Sequence, residues 1–82
     1  MLTYLISCDL MTPELEYQQL HAALRDVGAV RVLHMAWALE TDMSAEQLRN
    51  WVTNYVGPSD RILISALTDS ASRNTLINIH EL

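Results

Sequence analysis

Apolar and polar residues along this chain fall into short blocks, each with the length and period of one secondary-structure element. Tyr4, Leu5 and Ile6 lie inside an apolar run from Leu2 to Cys8. A short run of strand formers predicts a strand buried on both faces at the centre of a sheet. Asp9-Leu10-Met11-Thr12-Pro13 interrupts it. Thr12 is placed to cap a helix, Pro13 suits the first helical position, and Glu14 and Glu16 complement the positive end of the helix dipole. From Pro13 to about Val27, Tyr17, Leu20, Leu24 and Val27 recur at helical spacing and form one apolar stripe. Gly28 follows as the residue that turns the chain out of the helix.

Ala29 to Thr41 is apolar apart from Arg31, His34 and Glu40, and it is long for one strand. It divides into Val30 to His34 and Ala36 to Thr41, joined by a tight turn that no Gly or Asn marks. One long bent strand is the alternative. Ser44 with Gln47 three residues on forms a capping box. Leu48, Trp51, Val52, Tyr55 and Val56 then follow at the spacing of an amphipathic helix, which Gly57-Pro58 ends. Arg61 to Leu67 reads as a further strand with Ile62, Leu63 and Ile64 at its centre. Ser70 to Asn74 reads as a loop or a single helical turn. From Thr75 to His80, Ile77 and Ile79 alternate with Asn78 and His80. This pattern suits a fifth strand that closes a sheet edge or pairs with a second subunit.

The order strand-helix-strand-strand-helix-strand implies one α+β domain over residues 1–82. The expected fold is ferredoxin-like βαββαβ, an antiparallel sheet with two helices on one face, with room for an extra C-terminal strand. Crossovers of this kind are right-handed by strong preference. A chain of 82 residues buries only roughly 60–65% of the surface its unfolded form exposes. That favours a homodimer, in which a second copy covers an apolar patch or a sheet edge.

Charge narrows the classes of partner. The formal net charge is −5, with ten carboxylates against five arginines and no lysine. Arg25, Arg31, Arg49, Arg61 and Arg73 are spread singly, whereas tight nucleic-acid binding needs clustered cations. An acidic surface suits a basic protein partner or serves solubility. Cys8 is the single cysteine, so no intrachain disulfide can form, which fits a reducing compartment. The first residues carry no basic leader, and no apolar run approaches the ~18 residues of a membrane span. A cytoplasmic protein with no membrane association is expected.

Asp9 is the foremost candidate for chemistry. It lies where the first strand leaves the sheet, and a carboxylate there is suited to a divalent cation such as Mg²⁺. A metal-held water can attack a phosphodiester. One carboxylate makes a thin site, which a two-fold dimer would double. The plainer reading is that Asp9 accepts hydrogen bonds in the turn before the helix. His21, His34 and His80 lack the spacing of a zinc motif. Cys8 beside Asp9 has its thiol pKa pushed up, so it reads as a small core or edge residue and not as a nucleophile. Both glycines stand at helix ends, so there is no phosphate-cradling loop. Trp51 lies on an apolar helix stripe, and the face that Trp37 takes in its strand is open. Central strands reading Tyr4-Leu5-Ile6 and Ile62-Leu63-Ile64 lack the aromatic and basic residues of an RNA-recognition module.

Several segments together resemble a group of small bacterial and phage proteins. These segments are Tyr4 to Leu10, Leu24 to Ala29, Trp37 to Asp42, Ser44-Ala45-Glu46 and Asp60 to Leu63. The group is the SinR family, similar to the CRISPR-associated adaptation nuclease (the second core protein) and to virulence-associated protein D. The resemblance covers about residues 2–67. It implies a ferredoxin-like homodimer in which Asp9 of each subunit faces its mate and helps hold Mg²⁺ for cleavage of RNA or DNA, an endoribonuclease-like activity. Two positions depart from the family pattern. Cys8 stands where a Tyr is usual, and the hairpin segment His34-Met35-Ala36-Trp37 lacks the usual Ser. Two functions are therefore expected to compete: a homodimeric metal-dependent endonuclease with Asp9 as ligand and catalytic residue, and a non-catalytic homodimeric protein-binding or regulatory module of phage, toxin or CRISPR-related systems.

Overall fold

Six elements follow one another in the expected order: β1 (Leu2–Asp9), α1 (Gln18–Asp26), β2 (Val30–Leu33), β3 (Ala36–Thr41), α2 (Ala45–Thr53) and β4 (Arg61–Ala66). They are seen in a computed structural model that describes residues 1–11, 17–71 and 73–76. The four strands form one sheet in the order β2-β3-β1-β4, with every neighbouring pair antiparallel. Each helix thus connects two strands that have a third between them, which is the ferredoxin-like arrangement.

Strand alternation decides what the helices cover. In β1 the side chains of Tyr4, Ile6 and Cys8 are buried. In β3, Leu39 and Trp37 lie opposite Tyr4 and Ile6. These residues pack with Leu20 and Leu24 of α1 and Leu48 and Val52 of α2 in one cluster, so both helices lie on the same face. Ile62 and Ile64 of β4 join the edge of that cluster. The other face has a smaller core of Val32, Ala36 and Ala38 with Leu5 and Val30 against it. The expectation that the first strand is buried on both faces is therefore corrected. Its second face is only half-covered at Leu5 and Ser7 and exposed at Asp9, because α1 and α2 both lie on the other side.

Local signals explain most of the element ends. Ser44 Oγ accepts from Gln47 N–H at 3.1 Å while Gln47 Oε1 accepts from Ser44 N–H at 2.9 Å, so the capping box opens α2 as expected. At the end of α1, Gly28 has φ +87°. Its N–H reaches Arg25 C=O at 3.0 Å and Ala29 N–H reaches Leu24 C=O at 2.9 Å. This pair of bonds is the Schellman motif that a C′ glycine permits. The expected helix start at Thr12 and Pro13 lies outside the described residues.

Three bounds differ from expectation. Helix α2 stops at Thr53 and not near Val56, because Asn54 and Tyr55 bond back three residues, to Trp51 and Val52, and tighten the last turn. The hairpin between β2 and β3 takes its turn at His34 and Met35, so His34 leaves the strand. In the absence of Gly or Asn, the Arg31 side chain secures that turn: its Nε donates to His34 C=O at 2.9 Å and its Nη2 donates to the same oxygen. Arg61 to Leu67 ends as a strand at Ala66, although Leu67 N–H still reaches Thr3 C=O at 2.9 Å. Past β4, Leu76 N–H donates to Val32 C=O at 2.8 Å, on the outermost strand of the sheet. The fifth strand expected over Thr75 to His80 falls mostly outside the described residues.

Candidate functional site

Asp9 is the last residue of β1, a central strand. Because Cys8 points into the helix-covered core, alternation sends Asp9 to the face away from α1 and α2, the helix-free face among the described residues. Its register partner in β4 is Arg61, and the two side chains approach to 4.0 Å between Arg61 Nη1 and Asp9 Oδ2. Both are largely exposed, at 67% for Asp9 and 75% for Arg61. An exposed pair of this kind contributes about 0–1 kcal/mol. Asp9 and Arg61 border an open hollow of about 290 Å³ that Ser7 and Leu63 also line. Leu63 is 65% exposed.

The arrangement within one chain is a poor metal centre. The nearest charged neighbour of Asp9 given by its strand pairing is a cation, which opposes a divalent ion. Among the described residues no three His, Cys, Asp or Glu side chains gather at one place. The described residues of a single chain therefore do not fit Mg²⁺, and an Asp9 metal site requires further carboxylates.

The other sequence candidates are dispersed. Cys8 is buried at 5% exposure, and burial first, then the carboxylates of Asp60 and Asp9, push its thiol pKa up to about 11. It is protonated at neutral pH and packs as a small core residue. His34 is exposed in the hairpin turn, and His80 lies outside the described residues. His21 is half-buried on α1 with its ring centroid 5.4 Å from that of Trp37. Trp37 faces the helices at 3% exposure. Trp51 packs from α2 against the main core and meets Tyr55 edge-on at 5.3 Å.

Sequence reasoning passed over Asp60. Its carboxylate accepts from Met11 N–H at 2.7 Å, from Gly57 N–H at 2.7 Å, and from Tyr17 Oη at 3.0 and 3.1 Å. Partial burial alone would raise its pKa. The bonds from Met11, Gly57 and Tyr17 outweigh that and hold it below the usual carboxylate range. Asp60 ties together the exit from β1, the entry to α1 and the loop before β4, and so fixes the end of the sheet from which Asp9 projects. Its place at the end of a Gly-Pro-Ser-Asp turn was the available signal.

No helix among the described residues is long and apolar enough to cross a membrane. Comparisons of the chain with protein-family models, with curated proteins and with solved structures find no match.

Proposed function

We propose that this chain is a homodimeric, endoribonuclease-like protein in which the Asp9 carboxylates of two copies together provide a Mg²⁺ site. The observation that supports this reading is the placement of Asp9: exposed, on the helix-free face, at the C-terminal end of a central strand. Exposed Leu63 beside it adds apolar surface that a second copy would remove from water. A metal ion held there would supply an activated water for attack on a phosphodiester. The test combines two measurements. Sedimentation equilibrium gives the solution mass, expected to be that of a dimer. Labelled RNA and DNA are then incubated with native protein and Asp9→Asn, with Mg²⁺ and with chelator. Metal-dependent cleavage that Asp9→Asn abolishes supports the reading. A strict monomer, or cleavage indifferent to Asp9→Asn, rejects it.

A second reading is favoured by the contact between Asp9 and Arg61 and by the net charge of −5. In it the chain is a homodimeric module without catalysis that binds a protein partner in a phage, toxin or CRISPR-related regulatory system. A dimer that cleaves neither nucleic acid supports this second reading over the first.

A further inference from the structure

Two of the five arginines that look isolated in the sequence come together in the fold. Arg25 of α1 and Arg31 of β2 border one cleft of about 320 Å³, on the helix-covered side of the sheet at its β2 edge. His21, Ala29 and Trp37 complete its lining, and among the described residues no carboxylate borders it. In a chain with ten acidic residues, this concentrates positive charge in a place that the net charge conceals.

The donors come from two elements, His21 and Arg25 from α1 and Arg31 from β2. Arg25 is in the last turn of α1, and the Schellman turn that follows brings Ala29 to the wall of the cleft. Arg31 is held by two kinds of contact. It bonds to His34 C=O, and its Cζ lies 5.5 Å from the centre of the Trp37 ring. His21 leans on the same indole. Trp37 itself is too buried to stack on a ligand and serves as the floor. Among the described residues, no ion pair engages Arg25, Arg31 or His21. Burial first, then Arg31 and Arg25, lower the pKa of His21, so both arginines stand close enough to His21 to oppose its charged form.

The geometry points to this cleft as a binding site for a phosphate group, with Arg25, Arg31 and His21 as its donors. A carboxylate can be satisfied by one guanidinium fork. Three donors, His21 and Arg25 from α1 and Arg31 from β2, better match an anion with three or four oxygens and up to two charges. The volume is at the lower end of small-ligand sites, so it suits inorganic phosphate or a small phosphate monoester. This site is at the β2 edge and on the opposite face of the sheet from Asp9, and it stands whether or not the chain cleaves nucleic acid.

The test is a titration of the full chain followed by NMR of the Arg Nε–Hε groups and the His21 ring. Inorganic phosphate and ribose 5-phosphate are the ligands, with sodium chloride and sodium acetate at matched ionic strength as controls. Saturable shifts at Arg25, Arg31 and His21, with the His21 titration moved to higher pH by phosphate, are expected. Arg25→Gln removes one charge-assisted donor from an exposed position and should weaken binding about tenfold. Its circular dichroism checks that the fold is kept, and Arg25→Lys should recover part of the affinity. Tighter binding of ribose 5-phosphate identifies an organic ester as the occupant, and equal binding identifies the inorganic anion. Shifts that match those with chloride, that spread equally to Arg49, Arg61 and Arg73, or that persist unweakened in Arg25→Gln overturn the proposal.

Discussion

The two faces of the sheet share every strand and still obey different rules. On the helix-covered face, Tyr4, Ile6 and Cys8 of β1 are each at or below 5% exposure, and Trp37 and Leu39 beside them are equally buried. On the helix-free face the same β1 shows half-covered Leu5 and Ser7 and then exposed Asp9. Coverage on that side is uneven. Val32, Ala36 and Ala38 of β2 and β3 are buried, whereas Leu63 of β4 stands 65% open to solvent. A strand can carry a charge only on the side where water or a partner can meet it. The covered face is thus committed to stability, and the open half of the other face is where a carboxylate such as Asp9 is tolerated. The cationic cleft follows the same logic on the covered side, because it lies at the rim of α1, where charges reach water.

The largest test of this contrast is Ile6→Ala. Ile6 is fully buried between the sheet and both helices, and the substitution should lower the unfolding free energy by about 2–5 kcal/mol. Urea denaturation followed by tryptophan fluorescence would measure it. A loss no greater than that of a surface substitution would mean that the helices do not seal this face.

Asp60→Asn comes next. It weakens an acceptor that serves two backbone N–H groups and a phenol, and should destabilise by about 1–2 kcal/mol, tempered by partial solvent exposure. The pH dependence has a definite sign. The folded pKa of Asp60 lies below its unfolded value, so its contribution is complete above about pH 4 and is lost as pH falls through the folded value. Acid unfolding of the native chain should therefore be steeper below about pH 4 than that of Asp60→Asn. Identical acid profiles would remove Asp60 from its proposed tie.

Ser44→Ala breaks the capping box of α2 and should cost about 1 kcal/mol. Thermal denaturation of the pair would show it, and Ser44→Asp, which can still cap, should lie close to the native protein. The smallest effect on folding belongs to the open face. Leu63→Ala should change stability by under about 0.5 kcal/mol in the monomer. Its informative consequence is for self-association. If a second copy covers this face, Leu63→Asp should raise the dimer dissociation constant in sedimentation measurements while the monomer fold is retained.

Much of this architecture can be read from local pattern. Helical spacing of Leu20 and Leu24, the Ser44–Gln47 box and the glycine after α1 all act within a few residues, and the structure uses each as expected. The hairpin also appears, although its stabilising contact was not legible, since Arg31 secures it through a side chain bonded to a backbone oxygen. The early end of α2 was hidden for a similar reason. Tyr55 and Val56 fit the helical stripe, and they still pack against the main core after the helix has tightened into a turn.

What the chain alone determined was the order of its elements, the antiparallel ferredoxin-like sheet and the apolar positions that fill its main core. These follow from periodicity, capping and turn chemistry, which are encoded over short distances. Only the tertiary structure decided which face Asp9 shares with Arg61 and Leu63, that Asp60 joins three separate segments, and that Arg25, Arg31 and His21 meet beside Trp37. Those contacts join residues that strand order and packing bring together from different elements, and the strength of an electrostatic interaction depends on distance in space, not on separation along the chain.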